Sequence, residues 1–149
     1  DLSDHLDSLP KPWEPEPGAA GRMRLSTGTS WETMAGYSRA VRVGSRIVVS
    51  GTTSTHRDRL IGGADAAAQM HFVIDKIAGT LQSLDSSLDD VIRTRVYVRN
   101  LADWETVARV HGKRFGETRP SNTLIRADLV GNSYLVEMEA EAVVTSSDR

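Results

Sequence analysis

The segment SLDDVIRTRVYVRNLADWETV, residues 87–107, decides the fold because its hydrophobic period changes along its length. Its first half alternates, with Ile92, Thr94, Val96 and Val98 on one side and Arg93, Arg95 and Tyr97 on the other. This alternation predicts a strand with one apolar and one cationic face. Asp103 is then placed to cap a helix over residues 104–115. The apolar arc of that helix comprises Trp104, Val107, Ala108, His111 and Phe115.

A longer helix is predicted upstream, over residues 65–84, with Asp65 placed to cap its start. Its apolar residues recur at spacings of three and four: Met70, Val73, Ile74, Ile77, Leu81 and Leu84. Downstream, strands are predicted at 123–128 and 135–144. In the last strand, Val136, Met138, Ala140 and Ala142 alternate with Glu137, Glu139 and Glu141.

The N-terminal third predicts mainly strands and loops. We expect a strand at 23–27, a loop over 29–38 and a β-hairpin with strands 39–43 and 47–50. The stretch 52–63 is polar and ends in glycines, so it predicts a loop.

This order of elements predicts an α+β domain in which a mixed sheet carries both helices on one face. The opposite face would carry the arginines and glutamates of the two alternating strands. Three interpretations of that face stay open: solvated charges, cross-strand ion pairs, or a subunit interface.

The length of 149 residues fits one domain. Residues 1–21 hold four of the five prolines and no periodic pattern, which predicts an irregular extension before a domain over residues 22–149. Trp13 in that extension would dock on the domain surface or on a neighbouring subunit, or would serve as a lid over a cleft.

Composition excludes several classes of function. The chain has no cysteine, so it has neither disulfides nor a cysteine nucleophile. Its net charge of −2 gives no basic field for nucleic acid. No apolar run is long enough to span a bilayer, and we expect a cytoplasmic protein. No metal-ligand spacing and no cofactor motif occurs, so we expect neither group.

Four motifs resemble, in order and spacing, the YjgF/Rid (reactive intermediate deaminase, endoribonuclease L-PSP) family. They are GYSRAVRVGSRIVVSG, SLDDVIRTRVYVRNLADWETV, RFGETRPSNT and LVEMEAEAVV, and the resemblance covers residues 35–144. It implies a chorismate mutase-like domain that forms a homotrimer around a central β-barrel, with a small-molecule cleft between subunits. The outer sheet face would then point into the trimer.

The resemblance also implies cleft residues. Tyr37 and Glu137 correspond to catalytic positions, and Glu137 would position or activate water. Ser50, Gly51 and Thr52 would supply backbone donors to the reacting group. His111 stands where the family often has an aromatic residue. From its place in the apolar arc, His111 is interpreted either as a core-edge residue or as a residue lining a pocket.

Asn122 is the point at which the sequence departs from the family pattern. The family has an arginine there, two residues after Pro120, which binds the substrate carboxylate. Arg119 and Arg126 are the nearest alternatives, but Arg126 lies roughly 13 Å along the strand from Asn122 at about 3.3 Å per residue. Arg119 precedes a proline in a loop and would be within reach.

Two functions follow from this comparison. The first is hydrolysis of a small imine, enamine or related metabolite, without efficient deamination of 2-aminoacrylate because the arginine is missing. The second is a non-catalytic trimer that binds or senses a small ligand. A ribonuclease or translation inhibitor is a weaker alternative, because the chain lacks a basic stripe.

Overall fold

A computed structural model describes residues 13–145, and strands within this range form one large sheet and one small hairpin. The strands are β1 (Glu16–Pro17), β2 (Met23–Leu25), β3 (Ala40–Val43), β4 (Arg46–Thr53), β5 (Thr55–His56), β6 (Arg59–Leu60), β7 (Val91–Val98), β8 (Ser121–Arg126) and β9 (Val136–Val143). The helices are α1 (Ser30–Ala35), α2 (Ala66–Ser83) and α3 (Trp104–Phe115).

The large sheet is mixed, as the order of elements predicts. Its strand order is β1-β2-β3-β4-β9-β7-β8, and β7 and β8 are its parallel pair. Helices α2 and α3 cover one face. The core lies between α2 and the sheet, where Met70, Ile74, Ile77 and Leu81 meet Ile47, Val49, Val96 and Met138. None of the helices between residues 13 and 145 has both the length and the apolar character needed to cross a bilayer.

The two long helices occupy the predicted ranges. The Asp65 carboxylate accepts a hydrogen bond from the Ala68 amide at 3.1 Å, which confirms the predicted cap. Asp103 precedes α3, but its side chain makes no capping bond, because a 3-10 turn over Leu101–Asp103 leads directly into the helix. Trp104 does not belong to the buried arc of α3, since it is 49% exposed. The buried residues of α3 are Val107, Val110 and Phe115.

Three other local predictions are wrong. The stretch predicted as a loop over 29–38 contains α1, which begins after Thr29 and ends at Gly36 in a left-handed conformation. The loop predicted over 52–63 contains the β5–β6 hairpin, whose turn has positive φ at Arg57 and Asp58. Ile92, expected on the apolar face, is half exposed, because the register between β7 and β9 shifts after Val91.

The described part of the predicted extension contacts the domain. Glu16–Pro17 forms β1 against β2, and Trp13 packs against the core. The Trp13 amide donates a hydrogen bond to the Ser83 hydroxyl at 3.2 Å. Residues 1–12 of the predicted extension, and residues 146–149, lie outside the described part of the chain.

The outer face of the sheet carries cross-strand ion pairs, which confirms one of the three interpretations. Arg95 lies opposite Glu139, with Nη1 and Oε1 3.0 Å apart. Arg46 of β4 pairs with Glu141 at 2.8 Å. The same face also exposes Val48 and Ile125, at 47% and 44%. It is therefore part charged and part apolar.

Candidate functional site

A β-bulge in β4 is the feature around which the candidate site is built. Between the Val49–Ala140 and Thr52–Met138 pairs, two residues of β4 stand opposite one of β9, and these two are Ser50 and Gly51. The Ser50 hydroxyl holds the bulge by donating to the Ser38 carbonyl at 2.7 Å. A bulge changes the face to which later side chains point, so it redirects the end of the strand.

Gly51 allows the side chain of Glu137 to lie against the bulge. A Cβ atom at position 51 would stand 2.2 Å from Glu137 Oε2, which is shorter than any allowed contact. The glycine therefore makes room for the carboxylate, and the two residues form one wall of the site.

A cavity of about 290 Å³ opens beside this wall. It is lined by Thr29, Trp31, Met34, Ala35, Tyr37, Arg39, Gly51, Thr53, Thr55, Lys76, Val130 and Glu137. Three residues of the predicted site, Tyr37, Gly51 and Glu137, thus meet within one chain. The volume suits a small metabolite.

Arg39 connects Tyr37 to the bulge from a buried position. Its Nη1 donates to the Gly51 carbonyl and, at 3.1 Å, to the Thr52 hydroxyl. Its Nη2 donates to the Tyr37 hydroxyl at 3.2 Å, and the guanidinium carbon lies 5.5 Å from the centre of the Tyr37 ring. Sequence reasoning missed Arg39, although its position two residues after the predicted Tyr37 was a signal.

Glu32 balances the charge of Arg39. Its buried carboxylate accepts hydrogen bonds from the Thr29 hydroxyl at 2.7 Å and from the hydroxyl and amide of Thr27 at 2.8 and 3.0 Å. It lies 3.6 Å from Arg39 Nη2. Burial alone would raise the pKa of Glu32, but these hydrogen bonds and Arg39 outweigh it and lower the pKa. Glu32 therefore stays ionised.

Glu137 has the opposite environment. Burial raises its pKa; nearby Arg39 lowers it and Glu139 raises it further, and the net shift is upward. None of the residues in the described range donates a hydrogen bond to this carboxylate, and it lines the cavity. Such a carboxyl group accepts and releases a proton closer to neutral pH than an ordinary glutamate.

Lys76 reaches the cavity from α2 and is 2% exposed. Its Nζ donates to the Thr55 carbonyl at 2.7 Å. Burial, with help from Arg39, lowers the pKa of Lys76 to about 8. Sequence reasoning missed this residue too. Lys76 lies three residues after Val73 and four before Thr80, so the helical spacing puts this lysine on the buried stripe of α2. That spacing is the signal by which the sequence could have indicated a buried lysine.

Two residues of the predicted site, Asn122 and His111, do not line the cavity. The Asn122 amide donates to the Thr94 hydroxyl at 2.9 Å, and Thr94 Oγ1 lies 2.7 Å from His111 Nε2. Burial lowers the pKa of His111, which favours the neutral ring. Thr94 is fully buried on the helix side of the sheet, whereas Tyr97, opposite Glu137, points to the other side.

The arginines considered as replacements for the missing one do not line the cavity either. Arg119 is exposed, with a left-handed backbone at φ 44°, and Arg126 is exposed at the end of β8. The cations that line the cavity within residues 13–145 are Arg39 and Lys76. No cluster of histidine and acidic side chains in this range has the arrangement of a metal site.

The mixed sheet and its one layer of helices define an α+β domain of the chorismate mutase-like class, with a cavity at a strand bulge. The family model described as endoribonuclease L-PSP matches residues 27–144. The chain belongs to this family, which is also called YjgF/Rid.

Individual relatives agree with this assignment. A Mycobacterium tuberculosis protein of the YjgF/YER057c/UK114 family has a crystal structure that superposes with a TM-score of 0.76 at 39% identity, covering 83% of this chain and 99% of that one. An uncharacterised Streptomyces coelicolor protein is 32% identical over 80% of this chain and 90% of its own length. The 3-aminoacrylate deaminase RutC of Acinetobacter baylyi is 29% identical over 74% of this chain and 89% of its own length.

Proposed function

We propose that the protein hydrolyses the C–N bond of a small enamine or imine in the cavity beside Gly51. The observation that carries this proposal is the Glu137 carboxyl group, which lines the cavity, has a raised pKa and receives no hydrogen bond from residues 13–145. The similarity to a 3-aminoacrylate deaminase supports an enamine as the substrate class.

The residues around the cavity suit a hydrolytic reaction. Glu137 holds a water molecule and takes its proton as the oxygen attacks the imine carbon. That proton passes to the imine nitrogen, which gives the carbinolamine. The carbinolamine hydroxyl proton then moves by way of Glu137 to the same nitrogen, the C–N bond breaks, ammonia leaves and a carbonyl compound remains. An enamine substrate first becomes the imine by moving a proton from nitrogen to carbon. The Tyr37 hydroxyl, held by Arg39 at 3.2 Å, lies in the same cavity and orients the substrate.

Asn122 argues against efficient turnover of 2-aminoacrylate, because its amide offers no charge and is bonded to Thr94 on the helix side of the sheet. The uncharged residue at position 122 also supports a second candidate function, in which the protein binds a small ligand without turning it over. Ammonia release separates the two functions.

The test measures ammonia release from freshly generated 3-aminoacrylate and 2-aminoacrylate. We expect faster release from 3-aminoacrylate than in buffer alone, and a loss in kcat/KM of about 100-fold or more for Glu137→Gln. Glu141→Gln is the matched control, since Glu141 lies on the same strand face but pairs with Arg46. No turnover of either substrate by the wild type would favour the ligand-binding function.

We also propose that the protein is a homotrimer that uses the outer face of the sheet. Val48 and Ile125 are exposed on this face beside the ion pairs, so covering it would remove apolar surface from water. Sedimentation should give a trimer for the wild type and smaller species for Val48→Glu. A monomeric wild type at micromolar concentration would refute the proposal.

A further inference from the structure

Between residues 13 and 145, Lys76 is a buried ammonium group without a carboxylate partner. No carboxylate oxygen of the described residues lies within ion-pair distance of Nζ, and its hydrogen-bond acceptor is the neutral Thr55 carbonyl. The nearby acids are already engaged. Glu32 binds two threonines and Arg39, and Asp58 accepts hydrogen bonds from the amide and hydroxyl of Ser30 at 3.0 and 3.2 Å.

A buried charge without a counter-ion is costly, so such a group calls for an anion when it borders a cavity. Lys76 meets this condition because it lines the cavity, together with the exposed apolar side chains of Met34 and Val130. Arg39, the other cation at the cavity, uses Nη1 and Nη2 for Gly51, Thr52 and Tyr37. Its Nε is a further donor, but it is shielded from solvent and has no hydrogen-bond partner among the described residues. Lys76 Nζ uses one of its three donors for the Thr55 carbonyl, so two are left for a ligand.

We infer that Lys76 binds the carboxylate of the substrate, which makes the ligand class a small monocarboxylate with an apolar or planar remainder. This inference rests on the proposed function, and it names the group that supplies the positive charge absent at position 122. The charge comes from α2, and Gly51 and Glu137 line the same cavity. A carboxylate held by Lys76 therefore leaves the rest of a short molecule in the cavity that Glu137 also lines.

The first experiment compares propionate with propionamide, its neutral isostere, by calorimetric titration of the full-length protein. We expect the wild type to bind propionate about 10- to 100-fold more tightly, the range of a charge-assisted hydrogen bond. Lys76→Met should lose this preference, while Arg119→Met, which removes an exposed cation, should keep it. Retention of the preference by Lys76→Met, or no binding of propionate by the wild type, would overturn the inference.

A second measurement does not depend on the folding of a variant. The charged groups around Lys76 are Arg39, Glu32 and Asp58, and Glu137 shares the cavity. Because Lys76 loses its proton near pH 8, propionate affinity of the wild type should fall between pH 7 and 9, and propionamide affinity should not. Equal affinity for propionate at both pH values would contradict a role for Lys76.

The two proposals fail separately. If ammonia is released but Lys76→Met keeps its preference for propionate, the hydrolytic function stands and Lys76 is not the carboxylate-binding group. If propionate binding depends on Lys76 and no enamine is turned over, the binding site stands and the hydrolytic function fails.

Discussion

Replacing Gly51 by alanine should disable the site while leaving the fold intact. The added Cβ would lie 2.2 Å from Glu137 Oε2, 3.2 Å from Cδ and 3.7 Å from Cγ. The terminal oxygen clashes and must move by about 1 Å to reach an ordinary contact, and Cδ is close enough that it must also move slightly. The backbone at position 51 accepts alanine, because the φ of Gly51 is not in the left-handed region. The contact can therefore be relieved by a rotation of the Glu137 side chain.

The expected stability change is small because two effects oppose each other. An off-rotamer glutamate costs about 0.5–1.5 kcal/mol, and removing a glycine from the unfolded chain stabilises by about 0.4–1 kcal/mol. The free energy of unfolding of Gly51→Ala should therefore lie within about 1 kcal/mol of the wild type. A displacement of 1 Å at a reacting group costs on the order of 100-fold in rate, so kcat/KM should fall by about that factor.

The assay combines urea unfolding with ammonia release. Gly112→Ala is the matched control, since a Cβ at this position in α3 meets nothing within 4 Å. It should gain about 0.5–1 kcal/mol of stability and keep full activity. Wild-type activity in Gly51→Ala would show that the reaction does not need the Glu137 carboxyl group to lie against residue 51. Unfolding of Gly51→Ala would show that the contact is not relieved by the side chain.

Three stability predictions can be checked by urea unfolding. Thr94→Val removes the hydroxyl that joins Asn122 to His111 and should cost about 1–3 kcal/mol. Asp65→Ala removes a helix cap and should cost about 1 kcal/mol. Glu32 has a lowered pKa, so its contribution is present above the ordinary glutamate range and is lost as pH falls through the lowered value. Glu32→Gln should therefore lose stability at pH 7 and show a weaker dependence on acid pH; a variant as stable as the wild type at pH 7 would contradict this.

Local sequence signals predicted the elements that depend on local interactions. The period of residues 104–115 and the cap at Asp65 are local, and both helices lie where the pattern predicts them. The alternation of β9 likewise predicted Val136 and Met138 as core residues. These elements and the family motifs were sufficient to predict the fold class.

Features that depend on the exact register between strands were not predicted. The bulge at Ser50–Gly51 and the exposed position of Ile92 both arise from register shifts against β9, a strand distant in sequence. The role of Lys76 depends on the carbonyl of Thr55, which lies in the stretch 52–63 that the sequence predicts as a loop. A buried lysine has no local signature apart from its place on the apolar stripe.

The pH profile of kcat/KM should be bell-shaped, because two groups of the cavity must be in opposite protonation states. Glu137 must be ionised to accept a proton, and burial raises its pKa above the ordinary 4.5, so the acid limb should lie above that value. Lys76 must be protonated to hold a carboxylate, so the basic limb should lie near its pKa of about 8. Lys76→Met should remove the basic limb and lower kcat/KM at pH 7. If the basic limb is unchanged in Lys76→Met, the limb belongs to another group and Lys76 takes no part in the reaction.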